Sequence, residues 1–166
     1  LDVNEEGFVD LEELKNAITD KTILVSVMFA NNEIGTIEPV KEIGKICRER
    51  KVIFHTDAVQ AIGNVKIDVK DMNIDLLSLA GHKVYGPKGI GVLYIDEHVK
   101  IKPIVFGGEQ QKNVRSGTEN VPGIAGIGLA AKMIYENLDE KVAAMRAMKE
   151  HFIEGVKQIP DTTIHR

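Results

Sequence analysis

The sequence has a single cysteine and no long apolar run, and both shortages exclude classes of protein. Cys47 alone can form neither an internal disulfide nor a multi-cysteine metal site, which suits a reducing compartment. The stretch VPGIAGIGLAA at 121–131 is far shorter than the roughly 18 apolar residues that a membrane span requires. Because no signal peptide is visible either, we expect a cytoplasmic location.

The chain also lacks any block of lysine or arginine, and its net charge is −4 with a pI near 5.8. Such a chain has no electrostatic footprint for nucleic acid or for an anionic membrane surface. We therefore expect small molecules and proteins as partners, with no nucleic acid and no membrane. The hydrophobic content of 43% in 166 residues is enough to bury the core of one domain, or of part of one.

Short strands alternate with helices along the chain, and this order predicts an α/β fold with a mostly parallel sheet. Runs of branched apolar residues predict the strands, and apolar residues at helical spacing predict the helices. Strands are expected at 23–29, 52–56, 74–80 and 91–95, and a further one within TTIHR at 162–166. Helices are expected over 11–18, 39–50, 119–138 and 139–159, with a short helical segment between the second and third strands.

The acidic stretch DVNEEGFVDLEE at 2–13 has the residue spacing of a calcium-binding EF-hand loop. An EF-hand also needs a helix that enters the loop, and only Leu1 precedes Asp2. A helix start explains the second half without calcium, because Asp10 as N-cap and Glu13 three positions later form a capping box. We therefore predict a capped helix here and not a calcium site.

Polar residues and glycine directly follow three of the predicted strands, at the edge where parallel α/β sheets bind their ligands. Asp57 follows the second strand within HTDAVQ, and Lys83 follows the third within SLAGHKVYGPKG. A carboxylate and an amine at neighbouring strand ends can act on one ligand. Each residue alone has an ordinary explanation, since a lysine in a glycine-rich loop is commonly a solvated charge and an aspartate after a strand commonly caps a helix.

Two nucleotide-binding patterns fail at the glycines of this loop. Gly81 and Gly86 have the P-loop separation, but Pro87 stands where the P-loop lysine belongs. Gly86, Gly89 and Gly91 run in the reverse order to the dinucleotide fingerprint. The glycine spacing therefore does not support a nucleotide site.

Four motifs, in this order and spacing, resemble the class V aminotransferases, and within them the cysteine desulfurases of the NifS/IscS type. The motifs are NNEIG (31–35), FHTDAVQAIG (54–63), SLAGHKVYGPKGIGVLYI (78–95) and RSGTEN (115–120). The resemblance covers essentially the whole chain. It implies the three-layer large domain of fold type I, and an enzyme that uses pyridoxal 5'-phosphate to convert L-cysteine to L-alanine and an enzyme persulfide.

The resemblance also implies roles for residues around the cofactor. Lys83 would form the Schiff base with the cofactor and later move protons at the substrate carbons, which requires an amine that can lose its proton and not a guanidinium. Asp57 would pair with the pyridine nitrogen and keep it protonated, so that the ring can accept electrons. Gln60 and Asn32 would hydrogen-bond the ring 3-oxygen, although Asn32 taken alone is better explained as a turn-forming residue.

The cofactor phosphate would be bound by Gly81 and His82, the glycine by letting the backbone approach and the histidine by donating a hydrogen bond. The sequence departs from the family pattern at Ala80, where many members have a serine that contacts the phosphate. Thr118 of RSGT would reach the phosphate of the other subunit of a homodimer, although it also suits an N-cap at the helix start that follows.

The resemblance further implies that residues 1–166 are the central part of the large cofactor domain, with an N-terminal segment and a C-terminal small domain outside them. The family's nucleophilic cysteine would then lie beyond Arg166, and we expect the isolated piece to be inactive. Cys47 is no substitute, because it lies on the apolar stripe of its predicted helix.

The alternative functions are a selenocysteine lyase, another class V lyase or transaminase, or a non-catalytic scaffold. Expected partners are L-cysteine, a second subunit, and a sulfur acceptor or iron–sulfur scaffold protein.

Overall fold

Four short strands form the central sheet of the computed structural model, which describes residues 1–164. They are β1 (Leu24–Met28), β2 (Ile53–Asp57), β3 (Leu76–Ala80) and β4 (Gly91–Ile95), and they lie in that order across the sheet. The first three strands are parallel, whereas β4 pairs antiparallel with β3. The predicted α/β fold and mostly parallel sheet are therefore confirmed.

Four α-helices accompany the sheet: α1 (Leu11–Ala17), α2 (Val40–Arg50), α3 (Val121–Glu136) and α4 (Leu138–Val156). A short 3₁₀ helix, Gly81–Val84, follows β3 directly, and we call it the lysine turn. One prediction was wrong, because residues 58–73 between β2 and β3 form a series of turns and no helix. The strand expected at 162–166 lies partly outside the described residues, and residues 162–164 are not in a strand.

The main core lies between one face of the sheet and helices α1 and α2. Ile43 and Cys47 on α2 are fully buried, as the helical spacing predicts, and they pack with Phe54 of β2 and Leu14 of α1. Burying a side chain of this size contributes roughly 1.5–3 kcal/mol. This apolar face fixes the register of the strands, because a shift of one residue would turn every buried side chain to the other face.

The opposite face of the sheet is more polar and partly exposed. It carries Ser26, His55, Asp57 and Ser78, which are neighbours across β1, β2 and β3. Leu24 on the same face is 46% exposed. One face of the sheet therefore holds the strands on the helices, whereas the other face combines apolar side chains with these four polar residues.

The acidic N-terminal stretch is a capped helix start, as predicted. One carboxylate oxygen of Asp10 accepts hydrogen bonds from the backbone N–H groups of Glu12 and Glu13, at 2.7 Å and 3.1 Å. The reciprocal half of the capping box is absent, because Glu13 accepts instead from the backbone N–H of Asp2 at 2.9 Å. Among residues 1–164 no group of three His, Cys, Asp or Glu side chains is arranged to hold a metal ion.

None of the helices within residues 1–164 is both long enough and apolar enough to cross a lipid bilayer.

Candidate active site

The strand register brings the ends of β1, β2 and β3 to one edge of the sheet. Met28 pairs with Asp57, and Asp57 pairs with Ser78 on the next strand. Backbone hydrogen bonds continue past the strands, since Phe29 N–H donates to the Asp57 carbonyl at 2.8 Å and Ala58 N–H donates to the Ser78 carbonyl at 2.9 Å. The segments that follow these three strands therefore start side by side.

Asp57 is the last residue of β2, and one of its carboxylate oxygens is already held. The Oδ1 atom accepts a hydrogen bond from the backbone N–H of Val59 at 2.9 Å, which closes a local turn at the strand end. The other oxygen, Oδ2, forms no hydrogen bond or ion pair with a residue in the described range. The turn thus fixes the orientation of the carboxylate and leaves one oxygen for a ligand.

Backbone hydrogen bonds and the buried side chain of Val84 hold the lysine turn in place. Gly81 N–H donates to the Ile90 carbonyl and Gly86 N–H donates to the Gly81 carbonyl, both at 2.9 Å, while Val84 is 1% exposed. A Cβ at Gly81 would lie 2.7 Å from Ile90 Cγ2 and 3.1 Å from the Pro87 carbonyl oxygen. Glycine is required here because these groups surround it closely.

His82 and Lys83 project from this rigid turn into solvent. Both side chains are exposed, and neither forms a hydrogen bond or an ion pair with another residue among 1–164. An amine fixed at its Cα and free at its Nζ is suited to react with a ligand. The structure therefore places Lys83 and Asp57 at neighbouring strand ends, as the sequence predicts.

Helix α3 supports the lysine turn from the side. Val84 of the turn packs with Ile134 of α3 and with Ile62, and these three residues form a second, smaller core cluster. Gly126 of α3 lies against Pro87, where a Cβ would come within 2.5 Å of Pro87 Cγ. The close approach makes the position of the lysine turn depend on the packing of α3.

The loop after β1 separates the roles of its two asparagines. Asn31 forms the turn, because its Oδ1 atom accepts from the backbone N–H groups of Glu33 and Ile34 at 2.8 Å and 3.1 Å. Asn32 is exposed, and its amide forms no hydrogen bond within the described range. The same holds for the side-chain amide of Gln60, which is partly buried. Both amides are therefore available to a ligand.

The RSGT segment is organised around a buried serine. Ser116 is 7% exposed, and its hydroxyl donates to the Gly108 carbonyl at 2.6 Å. The Gly117 N–H donates to the side chain of Gln110 at 3.1 Å. Thr118 is exposed, and its hydroxyl has no partner among the residues described.

The helix start after RSGT is capped by a different residue from the Thr118 that the sequence suggested. Asn120 and not Thr118 is the N-cap of α3, and its side chain accepts from the Gly123 N–H at 3.1 Å. The first N–H groups are otherwise used or missing, since Val121 donates to the Glu119 carbonyl and Pro122 has no N–H. The start of α3 therefore offers no free backbone donors for an anion, and the Thr118 hydroxyl is the group that remains.

A hydrogen-bonded array on the open face of the sheet was not predicted. The ring of His55 lies between two serines, with Nδ1 2.8 Å from Ser26 Oγ and Nε2 2.9 Å from Ser78 Oγ. Burial lowers the pKa of His55, whereas the nearby charge of Asp57 raises it. The signal in the sequence was a polar residue at the third position of each of three apolar strands, Ser26, His55 and Ser78.

An ion network lies at the opposite end of the strands, where β3 begins and the antiparallel β4 ends. Its two acids, Asp75 and Asp96, are 4% and 5% exposed. His98 bridges them, with Nε2 3.0 Å from Asp75 and Nδ1 2.5 Å from Asp96. The ammonium of Lys70, hydrogen-bonded to Asp96, holds the pKa of that carboxyl well below its usual range. Arg48 contacts Asp75 at 3.3 Å and Tyr94 donates to Asp96 at 2.9 Å.

Cys47 is fully buried on α2, as predicted, and desolvation raises the pKa of its thiol to about 11. A thiol with so high a pKa is not ionised near neutral pH and is a poor nucleophile. Cys47 is therefore a core residue.

Comparison with known proteins gives consistent results over the whole chain. The family model for aminotransferase class-V matches residues 1–166. A relative from Clostridium botulinum, named cysteine desulfurase IscS, is 57% identical over 166 residues, which are 99% of this chain and 42% of the relative. The chain thus spans about two fifths of the length of the curated relatives that it matches.

Two solved structures extend the comparison to three dimensions. A NifS-like protein from Rickettsia africae has a TM-score of 0.90 and 38% identity, and the match covers 98% of this chain and 46% of that one. A structure of SspA in complex with cysteine has a TM-score of 0.76 and 42% identity, with coverage of 78% and 38%. This likeness confirms the expected fold class, the α/β large domain of fold type I, here incomplete relative to those structures.

Proposed function

Since the chain belongs to the class-V aminotransferase family, we propose that it is the central part of the pyridoxal-phosphate-binding domain of a cysteine desulfurase. Relatives named cysteine desulfurase IscS, with up to 57% identity over 99% of the chain, support this choice within the family. The structure of SspA with cysteine, which is 42% identical, supports L-cysteine as the substrate. The reaction would give L-alanine and an enzyme persulfide.

The observation that carries the proposal is the placement of Asp57 at the end of β2 and of Lys83 just after the end of the neighbouring strand β3. The Lys83 amine and one Asp57 carboxylate oxygen form no hydrogen bond within residues 1–164. When bound, pyridoxal phosphate supplies an aldehyde that amines attack and a ring that accepts electrons. Lys83 is the amine that would bind the aldehyde carbon covalently and, once displaced by substrate, move protons at the substrate carbons. Asp57 would accept the hydrogen bond of the protonated ring nitrogen through Oδ2 and stabilise its charge.

Other free groups around the strand ends suit the rest of the cofactor. Asn32 and Gln60 have unused amides, which would hydrogen-bond the ring 3-oxygen. The exposed His82 would contact the phosphate. Gly81, also expected there, is buried, and its N–H and carbonyl are already hydrogen-bonded to Ile90 and Gly86, so it would serve by leaving space for the turn and not as a donor. Thr118 would serve the phosphate site of a second subunit, and we propose a homodimer for this reason.

Ala80 is a departure from the family pattern that the fold does not repair locally. A serine at this position would offer a hydroxyl to the phosphate, and alanine cannot. Ser78, two residues earlier on the same face, is already hydrogen-bonded to His55 at 2.9 Å and is therefore engaged elsewhere. The phosphate would then be bound by the remaining side chains, chiefly His82 and Thr118 of the partner subunit.

The sulfur atom would be taken by a cysteine that lies outside this chain, because the thiol of Cys47 is buried and un-ionised. A sulfur-acceptor protein, for example an iron–sulfur scaffold, would receive the persulfide. The cytoplasmic location expected from the sequence stays a prediction.

The test uses the full-length protein that carries this chain. Incubation with pyridoxal phosphate, L-cysteine and a thiol reductant should release sulfide and alanine in equal amounts. The Lys83→Ala variant serves as the matched control and should release neither. Selenide from selenocysteine without sulfide from cysteine would instead support a selenocysteine lyase, and a wild-type protein that binds no cofactor would support a non-catalytic scaffold.

A further inference from the structure

The serine–histidine–serine array joins the three strands whose ends form the proposed site. Ser26 lies on β1, His55 on β2 and Ser78 on β3, and both ring nitrogens of His55 are within 2.9 Å of a serine hydroxyl. The buried face of the sheet sets the register of these strands, and a hydrogen-bonded bridge across all three strands on the other face adds a direct constraint on their relative positions. The array is therefore placed to align the loops that follow.

Two members of the array are neighbours of Asp57: His55 along the same strand and Ser78 across the adjacent strand. His55 and Asp57 lie two residues apart on β2 and so face the same side of the sheet. Ser78, the partner of the His55 Nε2 atom, is the direct cross-strand neighbour of Asp57. Its carbonyl accepts from the Ala58 N–H at 2.9 Å, which anchors the peptide that follows Asp57. A movement of Ser78 or His55 would therefore move the Asp57 carboxylate.

We propose that His55 is a positioning residue, which is held between the hydroxyls of Ser26 and Ser78 and fixes Asp57 for the ring nitrogen of the cofactor. This inference rests on the proposed function and deepens it, because it names what positions the end of β2, whose last residue is Asp57, whereas the Val59 N–H orients the carboxylate itself. His55 itself touches neither substrate nor cofactor in this account.

The charge of His55 is central to the same role. The strands that flank β2, LVSVM and LLSLA, contain no charged residue, so they present hydroxyls and apolar side chains to the ring. Asp57 is the charged group on its own strand. A neutral imidazole satisfies both serines, since one ring nitrogen donates and the other accepts. In the neutral form His55 leaves the negative charge of Asp57 for the ring nitrogen, whereas an imidazolium would compete for it.

The first measurement is made on the wild-type protein without cofactor. Nitrogen NMR of the histidine rings reports which ring nitrogens carry a proton. We expect His55 to be neutral at pH 7, with one protonated nitrogen. A doubly protonated ring at pH 7 would overturn the inference, whatever the enzyme's activity.

The second measurement compares variants of the full-length protein loaded with pyridoxal phosphate. Ser78→Ala removes one hydrogen bond and His55→Phe removes both while keeping an aromatic ring. Ser78→Thr keeps the hydroxyl and should rescue. Thr56→Val is the matched control, because Thr56 is the residue between His55 and Asp57, points to the opposite face and has a hydroxyl with no hydrogen-bond partner among residues 1–164.

The readouts are the cofactor dissociation constant and the pKa of the covalent Lys83 linkage, followed by its absorption. We expect Ser78→Ala and His55→Phe to weaken cofactor binding about tenfold, the low end for partners that orient a binding group. They should also raise the linkage pKa, because a poorly protonated ring nitrogen withdraws less charge. Ser78→Thr and Thr56→Val should match wild type in both values.

The outcomes separate this inference from the proposed function. If wild type binds the cofactor at Lys83 and both variants match it, the His55 inference fails and the proposed function stands. If wild type forms no linkage at Lys83, the proposed function fails and the inference fails with it. A variant that loses only thermal stability, with both readouts unchanged, would show that the array has a purely structural role and would also overturn the inference.

Discussion

Gly126 of helix α3 lies against Pro87 of the loop that carries Lys83, so closely that a Cβ on the glycine would be 2.5 Å from Pro87 Cγ. Gly126→Ala should therefore push α3 away from the lysine turn and destabilise the protein by about 1–3 kcal/mol. Gly128→Ala is the matched control, because in the described part of the chain no atom outside the helix's own nearby backbone lies within 4 Å of its Cβ position. It should stabilise the helix by about 0.5–1 kcal/mol. Urea unfolding of the two variants measures both effects, and equal stabilities would contradict the packing described.

Lys83 should be the only lysine of the site that binds pyridoxal phosphate covalently. Reduction with borohydride and peptide mapping of the full-length protein should place the adduct on this residue, and Lys83→Ala should abolish it. Lys88→Ala, an exposed lysine of the same loop, should retain the adduct. An adduct that survives in Lys83→Ala would refute the assignment.

Asp57→Asn separates the charge of this residue from its structural hydrogen bond. Asparagine keeps an oxygen for the Val59 N–H, so the turn after β2 should persist and thermal unfolding should stay close to wild type. The kcat/KM for cysteine should fall by about 10²–10³-fold, because the ring nitrogen loses its charged partner. A variant with near wild-type kcat/KM would show that Asp57 does not serve the ring.

Asp96 makes the stability of the fold depend on acid. Its pKa is lowered in the folded state, chiefly by the hydrogen bond from Lys70, so its stabilising effect is present above the unfolded pKa of about 3.9. The effect is lost as the pH falls through the lower pKa of the folded state. Asp96→Asn should thus be less stable than wild type at pH 7, with a difference that shrinks below about pH 4.

Urea unfolding at pH 7, 5 and 3 tests this pH dependence. Asp20→Asn changes an exposed carboxylate that has no partner among residues 1–164, and it should match wild type at all three values. An Asp96→Asn protein with a constant deficit at every pH would show that packing and not charge is responsible.

Cys47 should be inert in the folded protein. With a thiol pKa of about 11, roughly one thiol in a thousand is ionised at pH 8, and burial also blocks access. Iodoacetamide should label Cys47 in urea but not in native buffer. The Cys47→Ala variant of the full-length protein should release sulfide within about twofold of wild type, because the residue lies outside the site. A larger loss would give Cys47 a part in sulfur transfer.

Most of the fold could be predicted because its signals are local. The apolar stripe of α2, with Ile43 and Cys47, and the branched runs of β1 to β4 each carry their own periodicity. The placement of Lys83 and Asp57 at neighbouring strand ends was predicted because the carboxyl ends of parallel strands lie at the same end of a sheet. This rule needs no knowledge of side-chain contacts.

The predictions that failed depended on competition between neighbouring side chains. Thr118 and Asn120 both suit an N-cap, and in the structure it is Asn120 whose side chain accepts from the Gly123 N–H. Glu13 was expected to close the capping box, but the backbone of Asp2 competes for its carboxylate. A helical segment was expected within 58–73, but the structure has only isolated i→i−4 hydrogen bonds there, such as Ile62 N–H to the Ala58 carbonyl and Met72 N–H to the Asp68 carbonyl, and no continuous run of them.

The serine–histidine–serine array could not be predicted for a further reason. Ser26 and Ser78 are 52 residues apart in the sequence, and their meeting on His55 is a consequence of strand order and register. A single serine in a strand carries no signal of this kind. Polar residues at matching positions of several strands are the pattern that would have indicated it.

Because β4 runs antiparallel to β3, the proposed cofactor site and the ion network lie at opposite ends of the strands. The proposed chemistry uses the edge where β1, β2 and β3 end, whereas β4 ends at the opposite edge, beside the ion network of Asp75, Asp96 and His98. Substitutions meant to change the heat or acid tolerance of the protein can therefore be made around the ion network, at the opposite end of the strands from the proposed cofactor site.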